Sequence, residues 1–250
     1  RPDSVQVISK RPADSKIPPS YAQQRLWFLY QMAPDTAAYN MPTAFRLEGQ
    51  LNVPALGAAF LQVMQRHEIL RSVYGEQNGE LIITIRPVPR DIVRTTDLQS
   101  LDQTEQAIQI KQLIDAEAQQ PFNLTQGPLS RIRLLKLSEQ EQVLLINLHH
   151  IVCDGWSIGL FVREMAELYD AFISDRTPRL PELPIQYGDF AYWQRQQLQG
   201  NTLQRQLEYW QQKLSMLSTL DFPTDFSRTE ILDYQGAFLS FNLKHVTTAR

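Results

Sequence analysis

Gln142–Ser157 reads QVLLINLHHIVCDGWS. Its first half has the period of a β-strand, in which neighbouring side chains point to opposite faces of a sheet. His149 and His150 are adjacent, so if the strand runs through both they cannot face one site. One imidazole is expected to pack inside and the other to line a cavity. Upstream, LSRIRLLKL (Leu129–Leu137) is separated from this strand by the polar SEQEQ, which predicts a β-hairpin. Downstream, SIGLFVREMAELYDAF carries Ile158, Phe161, Met165, Leu168 and Phe172 at helical spacing, with Ser157 as its expected N-cap. Asp154 and Gly155 fall in the loop before that helix. There a glycine lets backbone approach a ligand closely, and free helix N–H groups face developing negative charge.

Working outward, Ser20 is placed to cap a helix over YAQQRLWFLYQM, with Leu26, Leu29 and Tyr30 on one face. In MPTAFRLEG, Met41, Thr43 and Phe45 alternate as in a strand. Asn52 and Pro54 open an amphipathic helix with Leu56, Phe60, Val63 and Met64 on its stripe. Asn78-Gly79 predicts a hairpin between Val73-Tyr74 and Leu81–Ile85. TEQAIQIKQLIDAEAQQ reads as a helix ended by Pro121, and DRTPRLPELPIQ, with three prolines, as a linker. Two Gln-rich helices and a strand-like AFLSFNL follow. The expected organisation is a linker over 1–19, an α+β lobe over 20–175 with a mainly antiparallel or mixed sheet flanked by helices, a linker over 176–186, and the start of a second lobe over 187–250.

A net charge of -3 gives no electrostatic reason to expect nucleic acid or an anionic membrane. Apolar runs such as Val143–Ile146 are far too short to span a bilayer, and the polar first residues are no signal peptide. The single cysteine, Cys153, rules out an internal disulfide and a cysteine-based zinc site. A cytoplasmic setting is expected.

Three chemistries compete for the same residues. A neutral imidazole, with an ordinary pKa of about 6.5, suits proton transfer near neutrality. Metal binding through His149, His150 and Asp154 is disfavoured because adjacent strand residues diverge, so no metal is expected. Gly155-Trp156-Ser157-Ile158-Gly159 is a literal G-x-S-x-G between a strand and a helix. Against a hydrolase elbow stand the loop before Ser157, the antiparallel hairpins in place of βαβ units, and His245 as the only downstream imidazole.

HHIVCDGWS matches the H-H-x-x-x-D-G signature of the condensation domains of nonribosomal peptide synthetases and their acyltransferase relatives. SYAQQRLWFL (Ser20–Leu29), RHEILRSVY (Arg66–Tyr74) and YGDFAYWQ (Tyr187–Gln194) resemble the first, second and fourth core motifs of condensation domains. The first two resemble the subtype that joins an L-configured donor to an L-acceptor. The resemblance implies lobes like chloramphenicol acetyltransferase, with donor and acceptor thioesters delivered on the phosphopantetheine arms of carrier domains and no cofactor bound directly. It implies a neighbouring adenylation domain, a site in a tunnel between the two lobes, and a catalytic set of His150, Asp154, His149 and Gly155, with His150 facing that tunnel. It also implies that Asp154 pairs with an arginine, Arg71 first and Arg25 second. The family's later motifs do not occur here. The chain is therefore expected to be a piece with an incomplete second lobe, catalytically silent alone. The alternatives are a coenzyme A-dependent acyltransferase and a non-catalytic carrier-docking fragment.

Overall fold

Val143, Leu145, Asn147 and His149 alternate along one strand with Leu144, Ile146 and Leu148, and every one of them is buried. Such a strand must be covered on both faces, and the computed structural model places it inside the main sheet, with a neighbouring strand on either side. The structure describes residues 7–218, 220 and 223–226; the AFLSFNL segment lies outside them.

Four strands form the main sheet: β1 (Asn40–Glu48), β4 (Val93–Asp97), β5 (Ser130–Ser138) and β6 (Glu141–His149). Their order is β1-β6-β5-β4, with β6 antiparallel to both neighbours and β4 parallel to β5. The sheet is thus mixed. Between the parallel pair, α3 (Gln103–Gln119) supplies the crossover that parallel strands need. The expected hairpin at Asn78-Gly79 forms a separate two-stranded sheet, β2 (Ser72–Gln77) with β3 (Glu80–Ile85). Both turn residues have positive φ, 56° and 79°, as a two-residue hairpin turn of type I′ requires.

Helices α2 (Val53–Arg66) and α4 (Gly155–Ile173) cover one face of the sheet. Phe60, Val63, Met64, Phe161, Met165 and Leu168 there meet Leu144, Ile146 and Leu148. On the other face, Ile110, Leu113 and Ile114 of α3 pack on Leu135, Leu137, Val143 and Leu145. The stripe of α4 closes on Ala171, fully buried, whereas Phe172 is exposed.

Ser20 caps α1 (Tyr21–Met32) in a full capping box. Its hydroxyl accepts from Gln23 N, and Gln23 Oε1 accepts from Ser20 N at 3.0 Å. Beyond the proline-rich segment lie α5 (Tyr187–Gln197) and α6 (Gly200–Leu214). All these elements belong to one compact unit that extends to Ser215. Helix α5 is stitched into it by Tyr187 Oη to Ser20 Oγ (3.0 Å), Gln186 Nε2 to Arg66 O (3.0 Å) and Arg195 Nε to Pro19 O (2.8 Å). No helix among the described residues is long and apolar enough to cross a membrane.

Candidate active site

The strand ends at His149, and its parity decides what the two histidines face. Odd-numbered residues of β6 look toward α3 and even-numbered ones toward α2 and α4. His149 is 5% exposed, with the Phe122 ring edge-on at 6.0 Å between centroids. Its Nδ1 accepts from Ile151 N at 3.1 Å, which places the ring proton on Nε2. Burial, aided by the neighbouring charge of His150, pushes its pKa down to about 4. His149 is therefore neutral and holds the turn that follows it.

That neutrality has a measurable consequence. The folded-state pKa lies below the ordinary 6.5, so the unfolded chain binds a proton that the folded chain refuses. Stability is fully present above about pH 6.5 and is lost as pH falls toward 4, by about 3 kcal/mol in all. Urea unfolding at pH 7.5 and 4.5 should show a steeper loss for the wild type than for His149→Gln; equal slopes would remove this assignment.

His150 is exposed, and its backbone N donates to Tyr39 O at 2.9 Å. It lines a cavity of about 580 Å³ together with Gln23, Arg25 and Leu26 of α1, His67, and Cys153 and Asp154 of the loop. Gln186, Tyr187 and Phe190 close the far wall. The expected division between one packed and one cavity-facing histidine is what the structure contains. Burial pushes the Cys153 thiol up to about 11, with the Asp154 carboxylate acting in the same direction, so the sulfur beside His150 stays protonated.

Asp154 is not half of a buried ion pair. It is exposed and is the N-cap of α4: its Oδ1 accepts from Ser157 N at 2.8 Å and from Ser157 Oγ at 2.5 Å. The Ser157 bonds hold its carboxyl below the usual carboxylate range. The expected arginines do not reach it. Arg71 spends its guanidinium on the Met64 carbonyl near the end of α2 (2.7 Å) and on Arg86 O (2.6 Å), while Arg25, exposed on α1, lines the cavity mouth. Among the described residues neither arginine forms an ion pair with Asp154. The cap position therefore belongs to Asp154, not Ser157, which sits in the first turn. Asp154→Ala should cost about 1 kcal/mol as a lost cap, against the several that a broken buried pair would cost. A urea-unfolding loss above about 3 kcal/mol would restore the ion-pair reading.

The same bonds remove the hydrolase elbow. Ser157 Oγ donates to a carboxylate, and no histidine is hydrogen-bonded to it among the described residues. Gly155 is the first residue of α4, where an added Cβ would meet nothing within 4 Å, so space in front of the helix N-terminus is open. No group of three or more His, Cys, Asp or Glu among the described residues is placed to hold a metal ion.

Some cavity residues carried no sequence expectation of a role there. His67 ends α2 and reaches Glu164 through Nε2 at 2.7 Å, while Arg66 Nε meets the same oxygen at 3.1 Å. Gln23 stands at the third position of the capping box, where S-x-x-Q was a legible signal.

A family model described as the condensation domain matches residues 13–250. This chain belongs to the condensation-domain family. It is 43% identical over 234 residues to malpinin synthetase of Mortierella alpina, covering 93% of this chain and 3% of that protein. Against chondramide synthase cmdD of Chondromyces crocatus it is 42% identical over 228 residues, 91% of this chain and 6% of the relative. The chain thus spans a small part of the curated relatives it matches. Among solved structures, the X-domain from teicoplanin biosynthesis superposes with a TM-score of 0.79 at 26% identity, covering 90% of this chain and 49% of that one. A variant of the starter condensation domain of rhizomide synthetase RzmA, in complex with C8-CoA and Leu-SNAC, superposes with a TM-score of 0.74 at 25% identity. It covers 84% of this chain and 48% of that one. The α+β condensation-domain fold expected from the sequence is thereby shown.

Proposed function

We propose that this chain carries the histidine-bearing half of a site that forms peptide bonds between carrier-bound substrates in nonribosomal peptide synthesis. The observation that supports this most directly is His150, exposed to a cavity on a loop whose other histidine is buried and neutral, in a chain of the condensation-domain family. The rhizomide relative was solved with an acyl thioester of coenzyme A and a leucyl thioester, one of each kind that such a condensation joins.

In this reading the donor acyl group and the acceptor amino acid arrive as thioesters on phosphopantetheine arms of two carrier domains. The acceptor α-amine attacks the donor thioester carbonyl, a C–N bond forms, the C–S bond breaks, and the donor arm leaves as a thiol after taking up a proton. An α-amine has a pKa of roughly 7.7 to 8.0, so an appreciable fraction is already neutral at cellular pH, and a thioester is a good electrophile. Little is therefore demanded of the His150 imidazole beyond holding the amine in line and taking its proton as the bond forms. His149 fixes the turn that presents it. Asp154 fixes the start of α4, whose first residue, Gly155, faces open space.

The test uses the native polypeptide that carries this chain, with donor and acceptor carriers loaded and analysed as intact proteins by mass spectrometry. The expected product is a dipeptidyl thioester on the acceptor carrier, with the donor carrier returned as free thiol. Acyl transfer to added coenzyme A would indicate the acyltransferase alternative. Unchanged loading of both carriers would leave only carrier docking.

A further inference from the structure

The loop that presents His150 has its N–H groups bonded from His149 to Val152, and a buried phenol supplies a donor to the carbonyl of Ile151. Tyr74, on β2, is 1% exposed. Its hydroxyl donates to the carbonyl of Ile151, the residue after His150, at 3.2 Å. It accepts from Gln23 Nε2 at 2.9 Å, and the same amide nitrogen lies 3.5 Å from Ile151 O. Gln23, also buried, is anchored through Oε1 to Ser20 N, whose hydroxyl meets Tyr187 Oη. The donors therefore run in one direction, from α1 through the phenol to the loop carbonyl.

The geometry of this chain assigns Tyr74 as a positioning residue for the His150 loop. The polar backbone contacts around His150 are His150 N to Tyr39 O, Ile151 N to His149 Nδ1, Val152 N to His149 O (3.0 Å), and Ile151 O to Tyr74 Oη and, more distantly, to Gln23 Nε2. The three N–H bonds set and close the turn, and Tyr74 holds the Ile151 carbonyl at its exit. Without the phenol, the Ile151 carbonyl keeps only the longer contact to Gln23 Nε2, and its peptide is held mainly from the other end, by Val152 N on His149 O; the backbone beside His150 loosens, and the direction of the imidazole with it. Burial raises the phenol above its ordinary pKa, so it remains an O–H donor across the working range. Tyr74 lies beneath the loop and is not among the residues lining the cavity, so it acts through the backbone and not on a reacting atom.

The assignment rests on His150 being the working histidine, and the test separates the two. Tyr74→Phe keeps the ring and removes only the hydroxyl. In the native polypeptide, hydrogen–deuterium exchange should rise roughly tenfold in peptides covering residues 149–154 and stay unchanged in α2 and β5. Turnover at saturating acceptor should fall roughly tenfold, with the acceptor KM within about twofold of wild type. Tyr169→Phe is the control, since its half-buried hydroxyl accepts from Asn52 N, far from the loop; it should leave both readouts at wild type. Wild-type exchange in 149–154 for Tyr74→Phe would overturn the assignment whatever the turnover. So would a rise spread evenly over the whole domain. Raised exchange in the loop with undiminished turnover would uphold the contact and strike instead at the role of His150.

Discussion

His150→Ala should lower the rate of dipeptidyl-thioester formation in the native polypeptide by about 10²-fold or more while leaving the fold intact. The magnitude is that of removing a positioned general base, with loss of amine orientation added to it. The second half of the statement follows from exposure: His150 faces the cavity, and its turn is held by its own backbone N–H, by His149 and by the Ile151 carbonyl. Truncating its side chain leaves all three contacts in place. Intact-protein mass spectrometry of quenched carriers measures the rate, and urea unfolding the stability. Product formation within a few-fold of wild type would sink the assigned role. A matching drop in stability would move His150 into the same class as His149.

The largest effect on the fold is expected at Glu117. The residue is 7% exposed, and its carboxylate bridges two arginines of β5, Oε2 to Arg131 Nε at 3.0 Å and Oε1 to Arg133 Nη2 at 3.0 Å. Its backbone carbonyl also accepts from Asn147 Nδ2 at 2.5 Å, tying α3 to β6. Glu117→Ala leaves two cations facing one another without a counter-charge, at a cost of about 3–5 kcal/mol. The Arg131 guanidinium lies 3.8 Å above the centre of the Phe122 ring, and that ring meets His149 edge-on, so the loss reaches the histidine turn. Glu117→Gln, which keeps an acceptor but not the charge, should fall between the two. A urea-unfolding loss below about 1 kcal/mol for Glu117→Ala would show that solvent reaches this cluster more freely than its burial indicates.

Elements with a strong local pattern were legible in the sequence. Ser20, Asn52 and Asn78-Gly79 each do in the structure what their chemistry predicts, because caps and tight turns are decided within a few residues. Strand β4 was not legible. Arg94, Thr95 and Thr96 give it no apolar alternation, and it forms only because β5 offers an edge and α3 returns the chain. The partner of Asp154 failed for another reason. Which arginine meets which carboxylate is a tertiary fact, and the helix N-terminus three residues away outcompeted every distant cation. At Phe172 the helical period ran one residue past the core, whose last place on α4 is taken by the smaller Ala171. For the site, the two-faced histidine pair followed from strand parity. The buried Gln23–Tyr74 link did not, since it joins segments that no sequence spacing relates.

Arg11 donates to Asp189 Oδ1 from both its backbone N (3.0 Å) and its guanidinium (3.1 Å), while Gln186 N donates to Oδ2 at 2.8 Å. Burial alone would raise that carboxyl, but these bonds hold it below the usual range. Ile8 meanwhile forms part of the cavity wall. For anyone recombining condensation domains, a splice junction between residues 11 and 19 is therefore poorly chosen. It would pair one parent's wall and guanidinium with another parent's α5, and strand a carboxylate that has been withdrawn from water. Junctions that inherit residues 8–19 and 186–189 together keep both ends of the clasp from a single ancestor.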